Sequence, residues 1–293
     1  MNSTLAELLR NGPVVLDGAW GTQLQQRGLA PGECPDGWNI THPDRVLEVA
    51  RAYVEAGSRV ILTNTFGANR IALSRHNLAA DAIAINKAGA TISLQASQGK
   101  ARVFGSMGPC GKLVLSGDVT EQEIERVFTE QARALAEAGV HGIVVETMSD
   151  LAEAAIAVAA AHETGLPVVA CMSFDSGHAK DRTMMGVTPE QAAYELRKAG
   201  ADAIGANCGL GIEGYVPLCI RLRAATDLPL WIKPNAGTPE VVDGVITYRT
   251  GVKVFAEWSG RLLDAGANFV GGCCGTTPAF ISALADLVKQ RAS

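Results

Sequence analysis

Nowhere in the 293 residues do about 18 uncharged apolar side chains follow one another, the length a helix needs to cross a bilayer. The first twelve residues likewise lack a long apolar run ending in small residues, the mark of an export leader. These absences predict a cytoplasmic protein that makes no use of a membrane. Positive charge is also short: the formal net charge is −5 and no basic run occurs, which leaves no electrostatic footprint for nucleic acid. Histidine is scarce, and all five (His42, His76, His141, His162 and His178) fall in loops or at helix ends, where a solvated ring is the ordinary case. No Cys-X-X-Cys opens a helix, so a thioredoxin-type thiol oxidoreductase lacks its motif. Gly18, Gly21 and Gly28 follow the first apolar run without the spacing of a dinucleotide turn. No short repeat points to a solenoid.

What is present is a chain 47% hydrophobic, enough to bury a large core in one α/β barrel or two small domains. Apolar runs without polar alternation read as strands covered on both faces. They fall at 14–16, 59–66, 101–105, 142–146, 167–173, 203–207, 228–233 and 268–272. Helical periodicity fills the gaps between them. Helix starts are read at Thr4 with Glu7, at Thr41 with Pro43 and Asp44, at Thr120 with Glu123, at Thr188 with Gln191, and at Thr277 with Pro278. Four helices finish in Ala-Gly just before a strand, at Gly57, Gly139, Gly200 and Gly266. Eight strand-helix units over this length predict a (β/α)₈ TIM barrel forming a single domain over 1–293, with an open doubly wound sheet as the alternative.

Seven cysteines, an odd number dispersed along the chain, fit reduced thiols or metal ligation better than a disulfide framework. Cys34, Cys110, Cys171 and Cys219 read as small core hydrophobes. Gly271-Gly272-Cys273-Cys274-Gly275 is different, because flanking glycines give up side-chain burial and imply close approach to the backbone. A strained vicinal disulfide, two buried structural thiols and a soft-metal site all remain open for the pair. In a barrel the chemistry sits at the C-terminal ends of the strands. Asp17, Asn64 with Thr65, Glu146, Ser173, Cys208, Asn235 and the Cys273–Cys274 pair all fall there. Cys208, itself within Gly205-Ala206-Asn207-Cys208-Gly209, becomes a third thiolate, and three cysteines leave one zinc position open, as catalytic sites do.

The motifs Asp17-Gly18-Ala19-Trp20-Gly21-Thr22, Thr63-Asn64-Thr65-Phe66-Gly67, Glu146-Thr147, Gly205 to Gly209, Pro234-Asn235-Ala236-Gly237 and Gly271 to Thr276 occur in that order over nearly the whole chain. In this the sequence resembles the homocysteine S-methyltransferase family, which includes betaine-homocysteine methyltransferases and the homocysteine-binding module of cobalamin-dependent methionine synthase. The resemblance implies an enzyme that forms methionine from homocysteine and a methyl donor. It implies Zn²⁺ on Cys208, Cys273 and Cys274, with Asn235 filling the open position before substrate arrives. It implies that Asp17 and Glu146 hold the substrate's amino end, that backbone amides after Asp17, at Gly18 and Ala19, take its carboxylate, and that Asn64 contacts it at the rim.

The donor divides the family. Trp38 lies where one wall of an onium cage is expected, which favours a betaine-like or sulfonium donor, although the other cage positions read as Gly67 and Met148. Pro234-Asn235-Ala236-Gly237 leans instead towards methylcobalamin brought by a separate corrinoid protein. Outside the class, a non-catalytic zinc-binding module would use the same ligands. Nothing in the sequence sets the oligomeric state.

Overall fold

The computed structural model describes residues 2–112, 117–242 and 245–292. Eight parallel strands make one sheet: β1 (Val14–Val15), β2 (Val60–Leu62), β3 (Arg102–Met107), β4 (Gly142–Met148), β5 (Val168–Met172), β6 (Ala203–Gly211) and β7 (Leu230–Asn235), with a last strand at Phe269–Val270. Between β7 and that last strand lies an antiparallel hairpin, β8 (Glu240–Val242) and β9 (Val245–Thr247), so the last strand is β10. The order β1-β10-β7-β6-β5-β4-β3-β2 closes on itself through a parallel bridge between Leu16 and Val60 and a bond from Arg59 N to Val15 O of 2.8 Å. The fold is the expected (β/α)₈ barrel.

Side chains alternate across this wall with period two. Val14, Leu16, Val60, Leu62, Phe104, Val144, Val169, Cys171, Ala203, Trp231 and Phe269 pack together in one buried cluster inside the barrel. Val15, Ile61, Val103, Ile143, Val145, Val168, Ala170, Ile204, Ile232 and Val270 face the surrounding helices in another. Leu5 and Leu8, from the helix Ser3–Leu9, belong to the inner cluster, and Glu7 pairs with Arg102 at the start of β3 at 3.2 Å. The N-terminal helix therefore plugs the bottom of the barrel, and the polar ends of the strands are left to the opposite mouth.

The capping boxes at Thr120 with Glu123 and at Thr188 with Gln191 form as expected. The four Ala-Gly endings do too: each alanine is a helix C-cap and each following glycine has a φ between +90° and +109°. Two starts differ. Asn2, not Thr4, caps the first helix, its Oδ1 accepting from Thr4 N at 3.0 Å. The helix Pro43–Glu55 begins after His42 with no side-chain cap, because the Thr41 hydroxyl bonds the His42 ring instead, at 2.8 Å. Hairpin β8–β9 was not anticipated. Its signal was the Asp243-Gly244 pair, which lies outside the described residues, between β-branched residues. Among the described residues no helix is long and apolar enough to cross a membrane.

Candidate active site

The inward register of the barrel continues past its apolar layers into a polar one. Two residues after Phe104 comes Ser106, after Val144 comes Glu146, and after Trp231 comes Lys233; Asn207 continues the inward row of Ala203 on β6. All four are buried. Glu146 accepts from Ser106 Oγ at 2.6 Å and from Asn207 Nδ2 at 3.3 Å. Asn207 also bonds Thr147 twice, its Oδ1 accepting from the backbone N–H and its Nδ2 reaching the hydroxyl, both at 2.7 Å. Burial pushes the Glu146 carboxyl up, against the opposing pull of the Lys233 ammonium and the Ser106 hydroxyl. For Lys233 burial works against the charge, but the carboxylates of Asp17 and Glu146 outweigh it and hold the ammonium above its ordinary range.

Beside this layer stand Cys208, Cys273 and Cys274. All are free thiols, so no vicinal disulfide forms. The three Sγ atoms lie within 4.8 Å of one another, with Cys208 and Cys274 at 3.9 Å. Zinc-thiolate bonds of about 2.3 Å in a tetrahedron require sulfurs about 3.8 Å apart, so the set fits such an ion. The electrostatics fit as well. Hydrogen bonds from the Cys273 and Cys274 thiols carry Cys208 down to about 3, whereas those bonds to Cys208 raise Cys273 and take Cys274 up to about 11. One thiolate forms readily and the next two are opposed by it, which a cation would relieve. Asn235 adds a further sign: its amide bonds Cys208, yet its Oδ1 is buried without a hydrogen-bond partner. The amide thus leaves a buried, unsatisfied oxygen next to the three-cysteine set.

Local backbone geometry aims these groups. Cys208 has a φ of +62° and Thr147 one of +61°, both left-handed for residues with a Cβ, which is strain of the kind that collects at functional sites. The Tyr215 hydroxyl holds the Cys208 carbonyl. What approaches the glycines around Cys273 and Cys274 is the protein itself: a Cβ on Gly272 would fall 2.4 Å from Thr276 Oγ1, and one on Gly275 2.3 Å from Tyr248 Cγ. Tyr248 in turn hydrogen-bonds the Cys274 sulfur.

A cavity of about 620 Å³ opens over the site. Gly18, Ala19, Asn64, Glu146 and the three cysteines line it, as does Lys233. Asp17 does not reach it. Its Oδ1 is taken by Lys233 Nζ at 2.5 Å and its Oδ2 by Leu62 N and Trp20 Nε1, both at 2.8 Å. Ala19 N is engaged too, donating to Thr276 Oγ1 at 3.1 Å. The Asn64 amide is spent on the loop before β2, bonding Pro35 O at 2.7 Å and Asn39 Oδ1 at 3.0 Å. Trp38 is not among the cavity's lining residues: it is buried, its Nε1 donates to Glu33 at 2.8 Å, and its ring packs tilted against His42 with centroids 4.5 Å apart. Trp20 and Phe66 do line the cavity, as does the His76 ring. Lys233, Asn207, Ser106 and Tyr248 were not anticipated. For the first three, two-residue parity from the largest inward side chains was the available signal. A separate surface hollow of about 710 Å³ lies along the helix Glu121–Glu137, away from the strand ends.

Fold and site together define a (β/α)₈ barrel with a three-cysteine centre at its mouth. The family model for homocysteine S-methyltransferase matches residues 14–288, and the chain belongs to that family. It is 30% identical to methionine synthase of Mycobacterium tuberculosis over 99% of its own length, and 29% identical to that of Mycobacterium leprae. It spans about a quarter of those relatives, 26% and 25% of their lengths. Among solved structures, the metallated form of the homocysteine methyltransferase MmuM from Escherichia coli superposes with a TM-score of 0.81 at 22% identity, covering 97% of this chain and 99% of that one.

Proposed function

We propose that the protein methylates the sulfur of homocysteine to form methionine, with Zn²⁺ held by Cys208, Cys273 and Cys274 and by the Asn235 amide oxygen while no substrate is bound. The observation that carries this reading is the convergence of three thiols beside a buried carboxylate on the wall of one cavity. Zinc bound there supplies Lewis-acid stabilisation of the acceptor sulfur as a thiolate, the form that attacks a methyl group. Glu146 receives the acceptor's ammonium group, held in place by Ser106 and Asn207. Asp17 acts indirectly, by fixing Lys233 and Trp20. The backbone at Gly18 is left to meet the carboxylate, with Ala19 N already engaged by Thr276.

For the donor we propose a small onium compound that also carries a carboxylate. Phe66 offers an aromatic face to the positive centre, and Arg75 and His76, also lining the cavity, suit the anionic end. The methyl carbon moves to sulfur while the bonding pair stays with the donor's nitrogen or sulfur. A second reading has one specific support: the relatives named methionine synthase are about four times as long, which favours a methylated corrinoid carried by another domain or a separate protein.

The test is metal analysis followed by incubation with homocysteine and each of betaine, dimethylsulfonioacetate, S-methylmethionine and methylcobalamin. About one zinc per chain and methionine from at least one donor are expected. Cys208→Ala should lose most of the metal while keeping the barrel's circular dichroism, and full zinc retention in that variant would refute the ligand set. Metal without turnover on any donor would identify a non-catalytic zinc-binding module.

A further inference from the structure

Lys233 is a buried cation on the wall of the acceptor pocket. Its side chain is 3% exposed and that of its partner Asp17 is 1% exposed, with 2.5 Å between Nζ and Oδ1. Both oxygens of Asp17 are already filled, so an incoming ammonium would have to displace Lys233 to reach them. The Glu146 carboxylate lies close enough to act on the same ammonium group. The polar layer thus carries two carboxylates and one built-in positive charge.

This arrangement alters what the pocket demands of its ligand. Two buried carboxylates without a counter-charge are costly, so such a pair would require the ammonium of an amino acid. Sites built around a substrate's N–H group reject the analogue lacking it by about 10⁴-fold, because the buried partners are left unsatisfied. Here the counter-charge belongs to the protein. Glu146 also has two internal donors, Ser106 and Asn207, and stays hydrogen-bonded when no ammonium arrives.

We infer that Lys233 is a specificity-determining residue of the acceptor pocket, standing in for an α-ammonium group, so that ω-mercapto carboxylic acids are methyl acceptors alongside homocysteine. The inference rests on the proposed thiol-acceptor function of the three-cysteine site. The chemistry is unchanged: the acceptor's S–H proton leaves to solvent, the sulfur takes CH₃ from the onium donor, and the donor keeps the electron pair of the broken bond.

The experiment is calorimetric titration of the zinc-loaded protein with homocysteine and with 4-mercaptobutanoate, which has the same chain and carboxylate but no amine. Binding of the two within about tenfold is expected, and 4-mercaptobutanoate weaker by about a hundredfold or more overturns the inference. In Lys233→Met the preference for homocysteine should rise by about tenfold or more, since Asp17 then lacks its cation. An unchanged ratio in a folded Lys233→Met protein overturns the role of that residue. Should that variant fail to fold, the wild-type ratio still decides. Binding of homocysteine alone refutes only this inference, whereas binding of neither thiol refutes the acceptor reading and this inference with it.

Discussion

Glu146 is the cavity carboxylate on the side of the cysteines, and its hydrogen bonds allow the role proposed for it to be tested apart from the metal ligands. Its hydrogen bonds go to Ser106 and Asn207, and it is Asn207 that reaches on to Cys273 Sγ, at 4.0 Å. Glu146→Gln keeps the shape and one oxygen acceptor while removing the charge. Homocysteine affinity should fall by up to about tenfold, as for a bond of about 0.5–1.5 kcal/mol to a carboxylate whose charge Lys233 already balances, with zinc content unchanged. Unaltered calorimetric affinity would remove Glu146 from the site. Asp36, on the far wall, gives a pH prediction. It is buried, accepting from Gly67 N at 2.9 Å, and burial pushes its carboxyl from 3.8 up to about 6. The folded protein therefore binds a proton that the unfolded chain releases between those values, and stability falls as pH rises from about 4 to about 6. Asp36→Asn should erase that fall, gaining about 2–3 kcal/mol at neutral pH relative to wild type and almost nothing near pH 3. Parallel melting curves for the two proteins across that range would refute the assignment.

At the scale of elements, the rim of the barrel was legible in the sequence and its interior layer was not. Cys208, Cys273 and Cys274 announce themselves because glycines flank them, and Glu146 because it ends an apolar run. Lys233 and Asn207 sit inside stretches that read as continuous strand, and only the pairing of neighbours, which fixes the parity, shows that they point inward. Trp38 shows the converse: sequence position placed it at the donor, but its ring and Nε1 serve the loop that carries it. The hairpin β8–β9 escaped for a related reason, since its contribution is tertiary. It brings Tyr248 against Gly275, whose φ is +80°. Gly275→Ala should cost at least about 1–2 kcal/mol for the left-handed backbone alone. It should also push Tyr248 away and weaken metal retention, read by chelator competition. Thr120→Ala, which removes a capping box whose bonds go only to Glu123, should cost about 1 kcal/mol and leave metal binding unchanged. If both variants lost metal equally, general destabilisation rather than the Tyr248 contact would be the cause.

For the whole molecule, the sealed base of the barrel decides how two substrates meet. Leu5 and Leu8 close the bottom over Phe104, Trp231 and Phe269, so the reactants come together at the strand-end mouth. On the proposed function the acceptor would take the ground by the cysteines and Glu146, and the donor would approach from the side of Phe66, Arg75 and His76, which line the same cavity. Phe66 is 42% exposed and packs over Gly108, leaving part of its ring available to a ligand. If an onium donor lies against it, Phe66→Ala should weaken donor binding by about 0.5–2 kcal/mol, a rise in KM of roughly twofold to thirtyfold, with homocysteine affinity little changed. Trp38→Phe tests the rejected wall of the cage. It keeps the packing, loses the bond to Glu33, and should lower stability by about 1 kcal/mol without moving the KM of any donor. A methylated corrinoid held by another domain would instead cover the mouth as a large surface, and removing one exposed ring would then affect docking and not the affinity for a free onium compound. Turnover with methylcobalamin and with none of the three onium donors, together with a Phe66→Ala effect seen only in that reaction, would transfer the donor assignment to the corrinoid and leave the thiol centre as described.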